Sequence, residues 1–486
     1  MTATVSTVKD ESYYEKDETK NAKAKAPRRD TENYYSESEK VIGRWLGSGA
    51  EQLGLIGDIH AGEFTKVMNG INPETNERMW KKKRVAYNGT DMTCSATKDF
   101  SVLWAIGDDD LKDKLLQVHE KAVDRAVAKA SKGLYQRLNK NNDKAFGVMP
   151  IIASFNHTTA RPTDKRPDPQ IHAHNVFVRK GLIKTDNGFK VVTIDNHSLF
   201  QGQKLYGATY RAELANGLRE LGFEIKRVKE EVEQTVLKTS KDGVVEEFQK
   251  MRVDSFQVKN LSRELVKNFS NRSEAINKIA KDSGNTSSLT KANIAKDIRR
   301  KKEVWDESTL HNVWKKEAKE LFNFDSDSVN ALRTYEKTEL GNMAKNEYRL
   351  IKDSMYKGQL FEGKLRLRLA EYEQTSGINA DDLFQSIQDR GLITRVEGFR
   401  FDINFELKEV DIMDRYISLK RKTINERLIE NNEFISDNIY ILPILMIDLI
   451  KESYQTFQRM KLYEPNTTSF RNIAVSLKPV FRSEEH

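Results

Sequence analysis

Three of the chain's eight histidines, His157, His172 and His174, lie within a stretch of eighteen residues. The segment that follows the closely spaced pair, residues 176–178, is Val-Phe-Val, and this apolar, β-branched composition predicts a strand. Residues i and i+2 of a strand point to the same face, so His172 and His174 should lie side by side. Two such imidazoles and a third from a neighbouring element can hold a divalent metal and leave positions open for a substrate oxygen.

The histidines by themselves leave two interpretations open. They could bind a metal, or they could be packed histidines on a half-buried strand. A zinc-hydrolase site would need an Asp-His continuation after the pair, and Asn175-Val176 stands there instead. The spacing therefore indicates a metal site without indicating what reaction the metal would serve.

Two tandem tyrosine pairs near the N-terminus, Tyr13-Tyr14 and Tyr34-Tyr35, are surrounded by polar and charged residues. Core tyrosines usually have apolar neighbours, although surface or helix-packing tyrosines remain an alternative. A phenol has an unperturbed pKa of about 10 and attacks poorly unless a base or a cation favours the phenolate. A metal that polarises a phosphate oxygen would make the phosphorus more electrophilic and so allow a modest nucleophile to react.

Taken in order, these segments resemble the relaxase domain of the MobF class of conjugative relaxases, members of the HUH superfamily of single-strand DNA endonucleases. The matching blocks are the two tyrosine pairs, GSGAEQLGL (47–55), DMTCSATK (91–98), the distant His157 followed by DPQIHAH (168–174), and YRAEL (210–214) leading to LGF (221–223). The blocks cover roughly the first 225 residues, and the resemblance fades after about residue 322. Two features depart from the family pattern: a long basic insert between the tyrosine pairs, and Thr97 and Asp99 on either side of Lys98.

The resemblance implies an α+β fold with an antiparallel, palm-like sheet flanked by helices. Residues 1–322 would form the relaxase domain, palm plus helical fingers, and residues 323–486 a mainly helical region. Within that region, residues 381–401 suggest a winged-helix-like unit as much as a plain helical extension. Helicases often follow such relaxases, but the one near match to a P-loop, GQLFEGKL (358–365), lacks the Ser or Thr that would bind magnesium. We therefore expect no complete helicase.

The resemblance also implies a role for each site residue. Tyr13 would attack the scissile phosphodiester of a single DNA strand, form a 5′-phosphotyrosyl link and free a 3′-hydroxyl. His157, His172 and His174 would hold the metal, and Asp91 would either accept the tyrosine proton or orient a ligand histidine. Tyr34 is the candidate for a second strand transfer. Lys98 and Arg161 are the candidates for DNA phosphate contacts.

The implied function is site- and strand-specific nicking and rejoining of single-stranded DNA at an origin of transfer in plasmid conjugation. The implied cofactor is a divalent ion, magnesium or manganese in the cell, although three imidazoles prefer softer ions such as zinc or nickel. Accessory relaxosome and coupling proteins are expected partners. The alternatives are a rolling-circle replication initiator or transposase, in which the histidines usually precede the tyrosine, a nuclease that activates water, and a non-catalytic single-strand DNA-binding protein.

Composition sets the remaining bounds. The net charge of +8 favours a polyanionic partner, and 32% charged residues indicate a soluble chain. A single cysteine, Cys94, fits a reducing cytoplasm, and no signal peptide is visible. The longest apolar run, residues 439–450, is too short to span a bilayer and predicts a buried helix. The basic run at residues 81–84 is a candidate DNA contact or an exposed turn.

Hydrophobic patterning predicts the elements that must position the site. Strands are expected at residues 2–8 and 145–155, a helix with one buried face at residues 111–130, and a hairpin at residues 181–192 that turns at Asp186-Asn187-Gly188. Prolines after His157 predict a loop that returns this residue beside His172 and His174. Residues 235–322 are charged and are predicted to be helical, with breaks near residues 268–273 and 283–288.

Overall fold

The computed structural model describes residues 3–8, 43–60, 62–80, 87–138, 143–162, 166–240, 243–298, 307–335, 344–356, 359–396 and 400–403. Both tyrosine pairs, the basic run at 81–84 and the apolar run at 439–450 lie outside these residues. Helices and strands are numbered below in chain order.

An antiparallel sheet forms the centre of the chain. Its strands, in spatial order, are β1 (Ala3–Val8), β4 (Gly89–Ser95), β8 (Pro169–Thr185), β7 (Met149–Thr159), β2 (Gly43–Leu46) and β3 (Asp58–Ile59), and β9 (Gly188–Thr193) pairs with the far end of β8. The long strands β7 and β8 pair with each other in the middle of the sheet, so other elements can pack on both of their faces. This confirms the predicted α+β fold with an antiparallel sheet.

Alternate residues of the central strands enter two different hydrophobic clusters. Phe177 and Met92 belong to a large cluster under α3 (Lys98–Ile106), α4 (Asp109–Ser131) and α5 (His197–Glu220). Val176 and Ala153 point the other way and join a smaller cluster with α1 (Ser48–Gln52) and α2 (Glu63–Met68). The period of two that places neighbours on opposite faces therefore makes one thickly covered face and one thinly covered face.

The elements predicted from patterning around the sheet are present. The predicted first strand is β1, and the predicted helix at residues 111–130 lies within α4, with Leu115, Ala122 and Ala126 buried. The predicted hairpin joins β8 to β9 in the register Thr185↔Gly188, which leaves Asp186-Asn187 as the two turn residues. Gly188 has a φ of 110°, a conformation that glycine adopts without strain.

The prediction that residues 235–322 are helical is wrong over its first part. Residues there form a long antiparallel ribbon, β10 (Ile225–Ser240) paired with β11 (Gly243–Val258). The charged side chains of this segment hide the strand signal, because a two-stranded ribbon has no need of an apolar face along its whole length. The rest of the described segment is helical, with α6 (Arg263–Asn268), α7 (Asn271–Asp282), α8 (Ser288–Asp297) and α9 (Glu307–Phe322), and α10 (Ser326–Ala331) follows it. The two predicted breaks fall between α6 and α7 and between α7 and α8.

The chain divides into two compact units, Met1–Met343 with Gly363–Gln385, and Ala344–Glu362 with Ser386–His486. The first unit contains a small hairpin, β5 (Tyr135–Arg137) with β6 (Lys144–Phe146), and all but the first residue of helix α12 (Glu362–Ser376). The described part of the second unit contains α11 (Ala344–Ser354) and a four-stranded sheet of β12 (Met355–Tyr356), β13 (Gln359–Phe361), β15 (Arg400–Ile403) and β14 (Ile393–Arg395). Helix α13 (Ala380–Asp389) runs from one unit into the other. The domain boundary at residue 322 and the winged-helix-like unit stay predictions.

None of the helices in the part of the chain that the structure describes has both the length and the apolar composition to cross a membrane.

Candidate active site

Two neighbouring strands bring the three predicted histidines together. His157 on β7 is in register with His172 on β8, and His174 follows on the same face of β8. The centres of the three rings lie 5.2, 5.3 and 5.5 Å apart. All three residues are buried, with 3% to 9% of their surface exposed. The loop of prolines therefore returns the chain as predicted and closes a compact group of three imidazoles.

The hydrogen bonds of two of these rings fix which nitrogen carries the proton. The Nδ1 of His172 lies 2.9 Å from the backbone oxygen of Gln170, and a carbonyl oxygen can only accept, so Nδ1–H donates. The Nδ1 of His174 lies 2.7 Å from Oδ2 of Asp91, and the carboxylate accepts in the same way. In a neutral ring the lone pair is then on Nε2, the nitrogen a metal would use.

Asp91 on β4 is the carboxylate of the group. It is 3% exposed, and besides His174 it accepts a 3.1 Å hydrogen bond from the hydroxyl of Thr93. Thr93 lies directly across the strand pair from His174, and its hydroxyl is also 3.1 Å from that ring's Nδ1. The predicted site residue Asp91 thus lies where it can orient a ligand histidine, and Thr93 is a further residue that sequence reasoning did not assign.

Burial keeps His172 neutral. The loss of hydration, with a smaller contribution from the neighbouring His174, lowers the pKa of His172 to about 3. A neutral imidazole is the form that binds metals, so protons do not compete for this ring near neutral pH.

The spacing of the three imidazole rings suits a metal ion. Three imidazole nitrogens about 2.1 Å from one ion would put the ring centres about 4.5 to 5.5 Å apart, which is the spacing observed. Within the described ranges, no group of three His, Cys, Asp or Glu side chains already has its ligand atoms arranged to hold an ion. The residue types, tautomers and ring spacing therefore fit a metal ion, and the ring orientations are what would have to adjust.

The two predicted phosphate contacts lie at the same end of the sheet. Lys98 begins α3, and its Nζ donates a 2.9 Å hydrogen bond to the backbone oxygen of Pro169 at the start of β8. Burial lowers the pKa of Lys98 to about 8, while Asp168 raises it. Arg161 follows β7 by two residues and is partly buried. Both stay predictions as DNA contacts, and Lys98 already has a structural partner.

Contacts that sequence reasoning did not anticipate hold the loop between the histidine strands. Arg166 pairs with Asp168 at 2.8 Å and with Glu317 on α9 at 2.6 Å. The indole of Trp314 donates to the backbone oxygen of Pro167 at 3.0 Å. Glu317 is 151 residues from Arg166 in the chain, and no short-range pattern could link them.

An antiparallel sheet whose two central strands present a cluster of three buried histidines beside a carboxylate defines the chain as a candidate metal-assisted enzyme. A family model described as TrwC relaxase matches residues 8–321, which is 314 of the 486 residues. The chain belongs to the TrwC relaxase family. This confirms the resemblance to conjugative relaxases of the MobF class.

Curated relatives are the multifunctional conjugation proteins TraI of Escherichia coli and of Escherichia coli strain K12. The first is 31% identical over 211 residues and the second 32% over 213, each alignment covering 40% of this chain and 12% of the relative. The chain thus matches about an eighth of the length of these relatives. Similar solved structures include the conjugative relaxase TrwC in a metal-bound complex with oriT DNA, at 24% identity and a TM-score of 0.48, covering 66% of this chain and 98% of that one. TrwC complexed with a 27-mer DNA is 26% identical, with a TM-score of 0.45, covering 57% and 91%.

Proposed function

We propose that this protein is a DNA relaxase that nicks one strand of DNA at an origin of transfer, keeps the 5′ end as a phosphotyrosyl ester and rejoins the strand. The observation that carries the proposal is the cluster of His157, His172 and His174 with Asp91 bonded to His174. Membership of the TrwC relaxase family supports it, because relaxases act on a single DNA strand. No observation favours a replication initiator, a water-activating nuclease or a non-catalytic DNA-binding protein.

Tyr13 is the proposed nucleophile. Its phenol oxygen would bond to the scissile phosphorus as the bond from phosphorus to the 3′ oxygen breaks; the phenol loses a proton and the leaving oxygen gains one. Chain length permits this assignment. Tyr13 is five residues beyond Val8, and five residues reach at most about 17 Å. In the register of β1, β4 and β8, Val8 is two strands and about four residues away from His174, which is a distance of roughly 16 Å.

The three histidines are proposed to hold a divalent ion through their Nε2 atoms. When bound, such an ion polarises the non-bridging oxygens of the scissile phosphate and stabilises the charge that develops on them. Asp91 is proposed to orient His174, since its Oδ2 already accepts from that ring. We propose magnesium or manganese in the cell because of their availability, and expect tighter binding of zinc or nickel in vitro.

Tyr34 is the proposed nucleophile of a second transfer. It precedes Gly43 by nine residues, and Gly43 is in register with Phe155, the residue opposite His174. Nine residues span up to about 30 Å, so chain length allows Tyr34 to reach the histidines while Tyr13 is bonded to DNA. Lys98 and Arg161 are proposed phosphate contacts, and Lys98 would exchange its bond to Pro169 for one to the phosphate.

The proposed partners are single-stranded DNA at the nick site and the accessory and coupling proteins of a conjugation system, and the proposed location is the cytoplasm. Residues 1–322 are proposed to contain the relaxase domain.

The nucleophile can be tested with a panel of labelled origin-of-transfer oligonucleotides. We expect Tyr13→Phe to abolish the covalent protein–DNA adduct on a denaturing gel and to leave binding of the same oligonucleotide within about twofold, because affinity comes from phosphate contacts and base stacking. Tyr14→Phe is the matched control and should form the adduct. A normal adduct with Tyr13→Phe would assign the chemistry to another residue.

A second transfer needs a separate measurement with two oligonucleotides of different length. We expect Tyr34→Phe to cleave the first strand at a near-normal rate and to transfer onto the second strand at least tenfold more slowly, because a used Tyr13 stays bonded to DNA until the second attack. Full double transfer by a variant lacking both Tyr34 and Tyr35 would reduce the second pair to a structural feature.

A further inference from the structure

A buried ionic clamp holds the loop that precedes the His172 strand. We define the clamp as Arg166, Asp168 and Glu317. The guanidinium of Arg166 donates through Nε and Nη2 to one oxygen of Glu317, at 2.8 and 2.6 Å, and through Nη1 to Asp168 at 2.8 Å. It also lies over the ring of Phe269, 4.7 Å from its centre. The side chains of Arg166 and Asp168 are 8% and 4% exposed and that of Glu317 is 24% exposed, so solvent screens the Arg166–Asp168 pair little and the Arg166–Glu317 pair more.

Two asparagines on neighbouring helices also donate hydrogen bonds to the carboxylates of the clamp. Asn271, the first residue of α7, donates to the same oxygen of Asp168 at 2.9 Å. Asn268, at the end of α6, donates to the other oxygen of Glu317 at 2.8 Å. Both carboxylates therefore have partners on the loop and on the helical segment. A shift of the helices would have to move the loop or break charged hydrogen bonds, which are among the stronger ones in a protein.

Only a short stretch of backbone, held by hydrogen bonds, separates the clamp from His172. Asp168 is two residues from Gln170, and the backbone oxygen of Gln170 is the acceptor that fixes the His172 ring. The intervening backbone is held as well, because Pro169 accepts from Lys98 and the amide of Ile171 donates to Ser101 at 3.1 Å. The position of the loop therefore determines where the His172 ring points. A displacement of about 0.5 Å is enough to degrade a metal or catalytic site.

We propose that Arg166 and Glu317 are positioning residues that couple the docking of α9 to the placement of His172, so that metal binding at the histidines and docking of α9 strengthen each other. The inference rests on the proposed function, since it takes the three histidines to be the metal site. Such coupling is reciprocal: if seated helices raise metal affinity, bound metal must hold the helices more firmly by the same factor. The clamp residues need not touch the metal or the DNA.

Helix α9 has a second anchor that makes the coupling testable. Its residues His311 and Trp314 form an aromatic cluster with Trp104 of α3, with ring centres 4.5 to 6.0 Å apart. His311 also bonds the backbone oxygen of Ala105 at 3.1 Å. Loss of the charge on Glu317 should therefore leave α9 packed and loosen only its link to the loop.

The first measurement is calorimetric titration of the metal-free full chain with Mn²⁺. We expect Glu317→Gln to weaken Mn²⁺ binding about tenfold, the lower end of what is usual when a residue that orients a metal ligand is lost. The matched control is Glu320→Gln on the same helix, whose pair with Lys316 is long and exposed, and it should bind Mn²⁺ within twofold of the wild type. Wild-type affinity in Glu317→Gln would overturn the coupling.

The second measurement uses only the wild-type chain, so it does not depend on whether a variant folds. Hydrogen exchange of the wild-type chain should slow in α9 on addition of Mn²⁺ by a larger factor than in α12, which reports general stabilisation. Equal slowing in both helices would overturn the proposal. A chain that shows the Mn²⁺ effects but forms no adduct with DNA would refute the proposed relaxase reaction and leave the coupling standing, so the two failures are distinguishable.

Discussion

The two faces of the central sheet both bury histidines, yet only one face brings several of them together. His174 and its neighbour Asn175 point to opposite faces of β8. On the His174 side three imidazoles and a carboxylate converge. On the Asn175 side the polar groups bond one another: Asn175 accepts from Ser154 at 2.8 Å and donates to the backbone oxygen of Met92 at 2.8 Å.

The most direct comparison between the faces is between one histidine on each, His119 and His172. On the helix-covered face His119 of α4 is fully buried, and its Nδ1 lies 2.7 Å from the hydroxyl of Tyr210. Burial, with a smaller contribution from Arg44, lowers the pKa of His119 to about 3, the same value as for His172. A depressed pKa therefore does not distinguish a candidate ligand from a core histidine. The distinguishing features are the neighbouring imidazoles and the carboxylate that orients one of them.

The largest expected effect comes from removing two histidines of the cluster, which changes one face and leaves the other intact. Replacing His172 and His174 by Ala should abolish Mn²⁺ binding and adduct formation together, because a single remaining imidazole cannot hold the ion. Calorimetry and the denaturing gel measure the two losses, and circular dichroism checks the fold. An unfolded double variant would show that these are packed core histidines, and unchanged cleavage would remove the metal from the mechanism.

The complementary change on the other face should affect stability alone. We expect His119→Ala to cost about 2 to 4 kcal/mol of unfolding free energy at pH 7, from the cavity and from the lost partner of Tyr210. Mn²⁺ affinity should stay within twofold. Chemical denaturation measures the first quantity and calorimetry the second. A large loss of metal affinity in this variant would contradict the division between the faces.

The same variant gives a prediction for pH with a definite sign. A histidine with a pKa of about 3 when folded and about 6.5 when unfolded binds its proton only on unfolding between these values, so stability falls as the pH falls below 6.5. Between pH 7 and pH 5 this amounts to about 2 kcal/mol for such a residue. The wild type should therefore lose about 2 kcal/mol more than His119→Ala over this range. Equal losses would show that His119 is not kept neutral.

The contrast between the faces also shows what could be predicted from sequence. Local composition predicted the His172 strand, because apolar and β-branched residues favour strands. Apolar residues at helical spacing predicted the α4 helix, because a period of about 3.6 residues is set by backbone geometry. The return of His157 was predicted from the prolines that follow it. The clamp between Arg166 and Glu317 was not, since only the folded chain brings such distant residues together. The β10–β11 ribbon was missed because its charged side chains lack an apolar stripe.

The smallest expected effect concerns Thr93, the hydroxyl that lies between Asp91 and His174. Thr93→Val keeps the branched shape on β4 and removes the hydroxyl, with its hydrogen bond to the carboxylate and its 3.1 Å contact with Nδ1 of His174. Asp91 still accepts from His174 at 2.7 Å, so the ring should keep its tautomer and lose only part of its restraint. A hydrogen bond to a charged group contributes about 1.5 to 3 kcal/mol. Because Asp91 keeps its bond to His174, only part of this loss reaches the metal site, and we expect Mn²⁺ binding to weaken about threefold to fivefold in calorimetry. Thr4→Val, the residue in register with Thr93 on the exposed edge strand β1, is the matched control and should leave the affinity unchanged. An unchanged affinity in Thr93→Val would show that Asp91 alone fixes His174, whereas a loss of a hundredfold would place Thr93 beside Asp91 as an essential support of the site.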